Sequence, residues 1–96
     1  MLNELKVEDF LPLVDQSVDV EFGAQHNQLE LKEASPIGST SPRAAPAFHL
    51  ILRSRSNWRV SQGMFRVHHP TLGALDMFAV PIGPDGVGFC YEIIFN

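Results

Sequence analysis

One cysteine, one tryptophan and one tyrosine in 96 residues leave little material for several kinds of chemistry. The lone Cys90 excludes an internal disulfide and any cysteine cluster for zinc or iron–sulfur. Oxidising export then offers no visible advantage, and a cytoplasmic setting is expected. No run approaches the roughly 20 apolar residues a membrane helix needs, so no membrane partner is expected. The opening MLNELKVEDFLPLV is broken by Glu4, Lys6, Glu8 and Asp9 and lacks the apolar centre of a signal peptide. Positive charge is scarce as well: seven Lys and Arg face eleven Asp and Glu. The net charge of −4 opposes general binding of nucleic acid, a polyanion. Helical periodicity is nearly absent, apart from one possible turn in VEDFLPLV that sets Phe10, Leu13 and Val14 on one side and is limited by Pro12.

What is present is a period of two. Val18, Val20 and Phe22 alternate with Asp19 and Glu21, and Leu29 and Leu31 with Glu30 and Lys32, around a turn at 23–28. Residues 34–47 hold three prolines, a glycine and three serines and read as a long loop. Phe48, Leu50 and Leu52 then face one way and His49, Ile51 and Arg53 the other. After an extended SRSNWRVSQG tip, Met64–His68 returns with Phe65 and Val67 inward, suggesting a second hairpin. A third joins Asp76–Ile82, with Phe78, Val80 and Ile82 on one face, to Gly88–Asn96, with Phe89, Tyr91, Ile93 and Phe95 together, through the Gly83-Pro84-Asp85-Gly86 turn. The expectation is an all-β, six-stranded antiparallel meander curled into a small barrel or sandwich, with one core over residues 1–96.

Two features leave alternatives open. Residues 1–33 carry eight acidic side chains against two lysines, whereas residues 34–96 carry five arginines against three acids. Either folding interleaves and compensates these charges, or the surface is two-signed and favours self-association. The outward sets of the later strands, His49/Ile51/Arg53, Met64/Arg66/His68, Met77/Ala79 and Cys90/Glu92/Ile94, mix large apolar groups with charge. Either the N-terminal segment or barrel curvature covers them, or they form an apolar patch rimmed by charge, as protein interfaces do.

Catalytic and metal chemistry is hard to place. His68 and His69, being adjacent, point to opposite faces of a strand; His49 and His68 share a facing, but two imidazoles fall short of the three protein ligands of a catalytic zinc site. His26 stands apart from them in the first turn. Cys90 lies within the strongest strand pattern, where a thiol behaves as a small hydrophobe. Ser54, Ser56 and Ser61 have no evident base and orienting acid. No catalytic residue, metal site or cofactor is expected.

Gln62, Gly63, Phe65, His69, Pro70, Leu72, Gly73, Phe78, Val80 to Pro84, Tyr91, Glu92, Phe95 and Asn96 form a pattern, Gln-Gly, aromatic, His-Pro-x-Leu-Gly, Phe-x-Val-Pro-Ile-Gly-Pro, Tyr-Glu and Phe-Asn. It resembles the end of a small family of bacterial domains of unknown function, about one hundred residues long. DFLPLV and PAFHLILR look like that family too, while the SRSNWRVS tip and Met64–Phe65 depart from its commoner pattern. The resemblance implies no catalytic residues and, through a loose association with phage-tail-collar-like genes, a structural or assembly role. The expected function is thus a non-enzymatic protein-interaction or assembly module, accessory to a tail-fibre-like structure or self-associating, with contacts from Ile51, Arg53, Trp58, Met64, Arg66 and Met77. The alternative is a small-ligand-binding β-barrel, which the large inward residues Phe48, Phe65, Phe78, Tyr91 and Phe95 oppose by filling its interior.

Overall fold

Alternating β-branched and aromatic residues bounded by glycine and proline produce six strands: β1 (Ser17–Phe22), β2 (Gln25–Pro36), β3 (Phe48–Ser54), β4 (Gly63–His69), β5 (Gly73–Pro84) and β6 (Phe89–Phe95). The structure is a computed structural model that describes residues 4–38, 46–55 and 58–96. Two short 3-10 turns, Val7–Asp9 and Leu11–Leu13, precede β1. The strands are antiparallel and close into a barrel in the order β1-β2-β3-β6-β5-β4. Read from β4, the order 4-1-2-3 is a Greek key: β4 pairs with β1, where Asp19 stands opposite His68.

Tight connections fix the register. Phe22 opposes Gln25 across the two-residue turn Gly23-Ala24, and Gly23 has φ +57°, as a type II′ hairpin requires of its first central residue. His69 opposes Gly73 across Pro70, Thr71 and Leu72, and the His69 Nδ1 accepts the backbone N–H groups of Thr71 and Leu72, both at 3.1 Å. Asp85 closes the β5–β6 turn: its Oδ1 accepts the N–H groups of Val87 and Gly88, both at 2.9 Å.

The barrel is filled by Val18, Val20, Leu29, Leu31, Leu50, Leu52, Phe65, Val67, Leu75, Met77, Ala79, Tyr91 and Ile93. One end is plugged by the N-terminal segment. Phe10, 1% exposed, sets its ring against Phe48, Phe95 and His69 at centroid distances of 5.8, 6.0 and 5.4 Å. Two backbone bonds hold this segment, Asp15 N–H to the Leu31 carbonyl (2.7 Å) and Leu31 N–H to the Gln16 carbonyl (3.0 Å). Asp15 reaches that geometry with φ +68°, a left-handed conformation that aspartate tolerates better than most residues. The His69 Nε2–H adds a bond to the Asp9 carbonyl at 2.7 Å. At the other end Trp58 lies on Phe65 and Tyr91, its indole N–H donating to Gln25 Oε1 at 2.8 Å, and the Val60 N–H donates to the Tyr91 hydroxyl at 2.9 Å.

Three expectations need correction. The second hairpin does not form, since β3 pairs with β2 and β6, and β4 with β1 and β5. The face of β5 is reversed: Met77 is 3% exposed and Ala79 is fully buried, whereas Phe78 is 51% exposed. Side-chain size is overruled by register here. Phe65 opposes Met77 and Ile93 opposes Ala79, and opposed residues share a face, so the inward Phe65 and Ile93 carry Met77 and Ala79 inward with them. Finally, the supposed loop at 34–47 begins as strand, because Ala34, Ser35 and Pro36 pair with Leu50, His49 and Phe48. Its residues 39–45 lie outside the described residues, as do Ser56 and Asn57 of the expected tip.

Candidate functional site

Closure gives each of the six described strands two neighbours, so none keeps a wholly free edge, although the β1–β4 seam pairs only Asp19–Glu21 with Arg66–His68. What docks on the barrel wall meets mainly side chains. The wall is uneven. On β1 and β2 the outward positions are polar and largely internally paired. On β4, β5 and β6, Met64, Phe78, Val80, Ile82 and Ile94 are each between 39 and 53% exposed. Met64 stands opposite Phe78, Val80 opposite Glu92, and Glu92 opposite Ile51, which places these groups on one continuous face. The bulge between Pro81 and Gly83 turns Ile82 out at its end.

Polar groups rim this face. Beyond Met64, Arg66 forks onto Asp76 with its Nε at 2.8 Å from Oδ1 and its Nη2 at 3.1 Å from Oδ2. Beyond Ile94 and Ile51 lies His49, with Nδ1 2.8 Å from Glu92 Oε2 and Nε2 2.8 Å from both Glu33 Oε2 and Ser35 Oγ. The chain Ser35–His49–Glu92 has the spacing of a hydroxyl nucleophile, a base and an orienting acid. Glu33 alters its meaning. A carboxylate only accepts, so both ring nitrogens must donate, which makes the imidazole a cation with no lone pair to take the serine proton. The Ser35 hydroxyl also donates to Glu33, at 2.7 Å. The arrangement is an ion-pair clamp tying β2, β3 and β6 together.

Partial burial works against a charged His49, but the bonds to Glu92 and Glu33 outweigh it and raise the pKa above the ordinary value of 6.5. The sign follows. A raised folded-state pKa contributes stability that is complete below about 6.5 and is lost as pH rises through the folded value. Wild-type protein should therefore lose stability as pH rises above about 6.5 and through the raised folded value, and His49→Gln should flatten that slope, as urea midpoints across a pH series will report. An unchanged slope in the variant would remove the clamp from the account.

The structure sorts the six expected contact residues. Met64 and Arg66 lie on the exposed face, and Ile51 is half-buried within it. Arg53 is on the outer side of the wall yet only 8% exposed, its guanidinium held by Asp85 at 3.1 Å and Glu30 at 3.2 Å. Its buried Nε has no hydrogen-bond partner. Trp58 folds back onto its own barrel end, and Met77 is inside. Phe78, Val80 and Ile82, assigned inward from sequence, and Ile94 are the exposed apolar groups that the six omit. Register counted from the tight His69–Gly73 turn was the signal that placed Phe78 outward.

The remaining candidates are accounted for within the chain. Glu30 bridges Arg53 and Arg55 and His68 meets Glu21, so acids of the first third are paired with later bases, while Asp15 meets Lys32 at 2.6 Å within that third. His49 and His68 lie on strands that do not pair. His69 is packed against Phe10. Burial raises the pKa of the Cys90 thiol, and the neighbouring Asp85 carboxylate adds to the effect, which keeps it a thiol. Among the described residues no group of three or more His, Cys, Asp or Glu is placed to hold a metal ion, and no helix is long and apolar enough to cross a membrane.

Comparison with known proteins matches residues 5–95 to one family, described as Domain of unknown function (DUF6916). No curated protein and no solved structure matches the chain.

Proposed function

Starting from a chain that belongs to the DUF6916 family, we propose that it is a protein-interaction module that docks through the outer face of β4, β5 and β6. The observation that carries this reading is the exposure of Phe78, flanked by Met64 and Val80 and rimmed by Arg66–Asp76 and the His49 clamp. Five large apolar side chains on this face are each 39–53% exposed, and the largest apolar patch on a monomer is often functional. A polar rim around such a centre is the composition of protein interfaces. A tail-fibre-like assembly is the setting the family resemblance favours; a second copy of this chain is the other partner the apolar face would fit. The ligand-barrel alternative finds no support in an interior packed by Phe65, Tyr91, Met77 and Ile93 and plugged at one end by Phe10.

A photo-crosslinking residue at position 78 tests the reading in native lysate and in purified protein. It should give defined protein adducts, whether with a partner or with a second copy, that the same residue at Ala24 does not give. Phe78→Glu should weaken the same association at least about tenfold, the effect of a moderate hot-spot residue. Equal crosslinking from both positions would end this reading.

A further inference from the structure

At the end of the barrel reached by β5, the β5–β6 turn together with Arg55 and Arg59 borders an open cleft of about 300 Å³, lined also by Pro84, Val87 and Phe89. The Arg59 guanidinium lies over the Phe89 ring, 4.8 Å from its centroid. Stacking uses the flat face of the guanidinium and leaves its edge of N–H donors open to a planar acceptor. Among the described residues Arg59 has no carboxylate partner. Arg55 gives its Nε to Glu30.

Local charge decides what fits. Among the described residues the ion pairs of Arg53, Arg55 and Arg59 are with Glu30 and Asp85 alone, an excess of one positive charge in a chain whose net charge is −4, and nearby Asp15 is met by Lys32. Both acids are already engaged: Glu30 accepts from Arg53 and Arg55, and Asp85 from Arg53 and the Val87 and Gly88 amides. One carboxylate cancels the excess and matches the guanidinium edge with two parallel bonds. A dianionic phosphate would be repelled by Glu30 and Asp85. Val87, 59% exposed, Pro84 and the Phe89 ring give the cleft apolar walls.

The cleft lies just past the apolar row Phe78, Val80 and Ile82 on the same strand, about 13 Å along an extended chain from Val80 to Pro84. We propose that it is the carboxylate subsite of the docking face, receiving an Asp or Glu side chain of a protein partner whose apolar residues lie along β5. The proposal rests on the reading of β4–β6 as a docking face and specifies what the partner must carry: an acidic residue a few positions beyond an apolar one.

Trp58, the only tryptophan, packs at this end on Tyr91, which also meets Phe89 at 5.4 Å, so its emission reports on the cleft. The probes are an acetylated, amidated Phe-Thr-Val-Ser-Gly-Glu-Ser peptide, its Glu-to-Gln counterpart, and inorganic phosphate. The Glu peptide should give a saturable emission change at millimolar concentration. The Gln peptide, and the Glu peptide against Arg59→Gln of unchanged circular dichroism, should each bind at least tenfold more weakly, with Arg59→Lys in between. Equal binding of the Gln peptide, no saturable change, or saturation by phosphate as tight as by the Glu peptide would each overturn the proposal. Phe78→Glu separates the two readings. Loss in Arg59→Gln with retention in Phe78→Glu supports the cleft while counting against the docking face, and loss in Phe78→Glu alone does the reverse.

Discussion

Phe10→Ala should be the most damaging truncation outside the strands, costing about 3–5 kcal/mol, the usual range for removing a buried phenylalanine. The ring is 1% exposed and touches Phe48, Phe95 and His69, so its loss opens a void that three partners on three strands cannot jointly close. A small domain holds only about 5–15 kcal/mol in total. At about 4–8 °C per kcal/mol for a chain of this size, the melting temperature should fall by roughly 12–40 °C. Leu11→Ala, its neighbour at 48% exposure, should change stability by no more than about 0.5 kcal/mol. Thermal and urea unfolding of the pair will separate a plug from an appendage. Similar losses in the two variants would show that the N-terminal segment does not seal the barrel.

Ala79→Asp and Val80→Asp should differ more sharply still. Ala79 is fully buried between Gly63 on β4 and Ile93 on β6, and a carboxylate there would be an unpaired charge among hydrocarbon. Such a charge costs several kcal/mol even after relaxation, a large part of the whole stability. Ala79→Asp should lose the cooperative unfolding transition at room temperature. Val80→Asp, on the exposed side, should fold with a near wild-type midpoint while weakening the association assigned to that face. Circular dichroism melts suffice, and a folded Ala79→Asp protein would refute the inward facing of Met77 and Ala79.

These pairs show where sequence reasoning was sufficient. Along β1 and β2 the apolar residue of each alternating pair is also the inward one, and along β3, β4 and β6 the more uniformly apolar set is, despite Ile51, Met64 and Ile94 on the other side, so Val20, Leu31, Leu52, Phe65 and Tyr91 could be placed directly. In β5 both alternating sets are apolar, Leu75, Met77 and Ala79 against Phe78, Val80 and Ile82, and hydrophobicity cannot separate them. The choice belongs to register, and register belongs to the three residues between His69 and Gly73. The Greek key was hidden for a related reason: β3 and β4 look like a hairpin locally, but strand pairing across the barrel is a long-range property that alternation does not encode. The His49 clamp was equally out of reach, since Glu33, Ser35 and Glu92 come to it from two other strands. The exposed face was legible as an apolar excess on later strands and in Ile51, Met64 and Ile94, though not in Phe78, Val80 and Ile82. The Arg59 cleft depends on a turn and a stacked ring that no sequence spacing announces.

Barrel closure also orders events in time. β3 finds its second neighbour only in β6, where Phe48 opposes Phe95 and their rings stack at 4.3 Å. As the chain leaves the ribosome, β1, β2 and β3 can pair early, while β3 keeps an open edge until residues 89–95 have emerged. Contacts of such sequence separation form slowly, and an unpaired edge in the interval invites pairing between nascent chains. The closure that gives each strand of the finished barrel two neighbours thus gives its synthesis a window of exposure, in which a chaperone would have its greatest effect on yield.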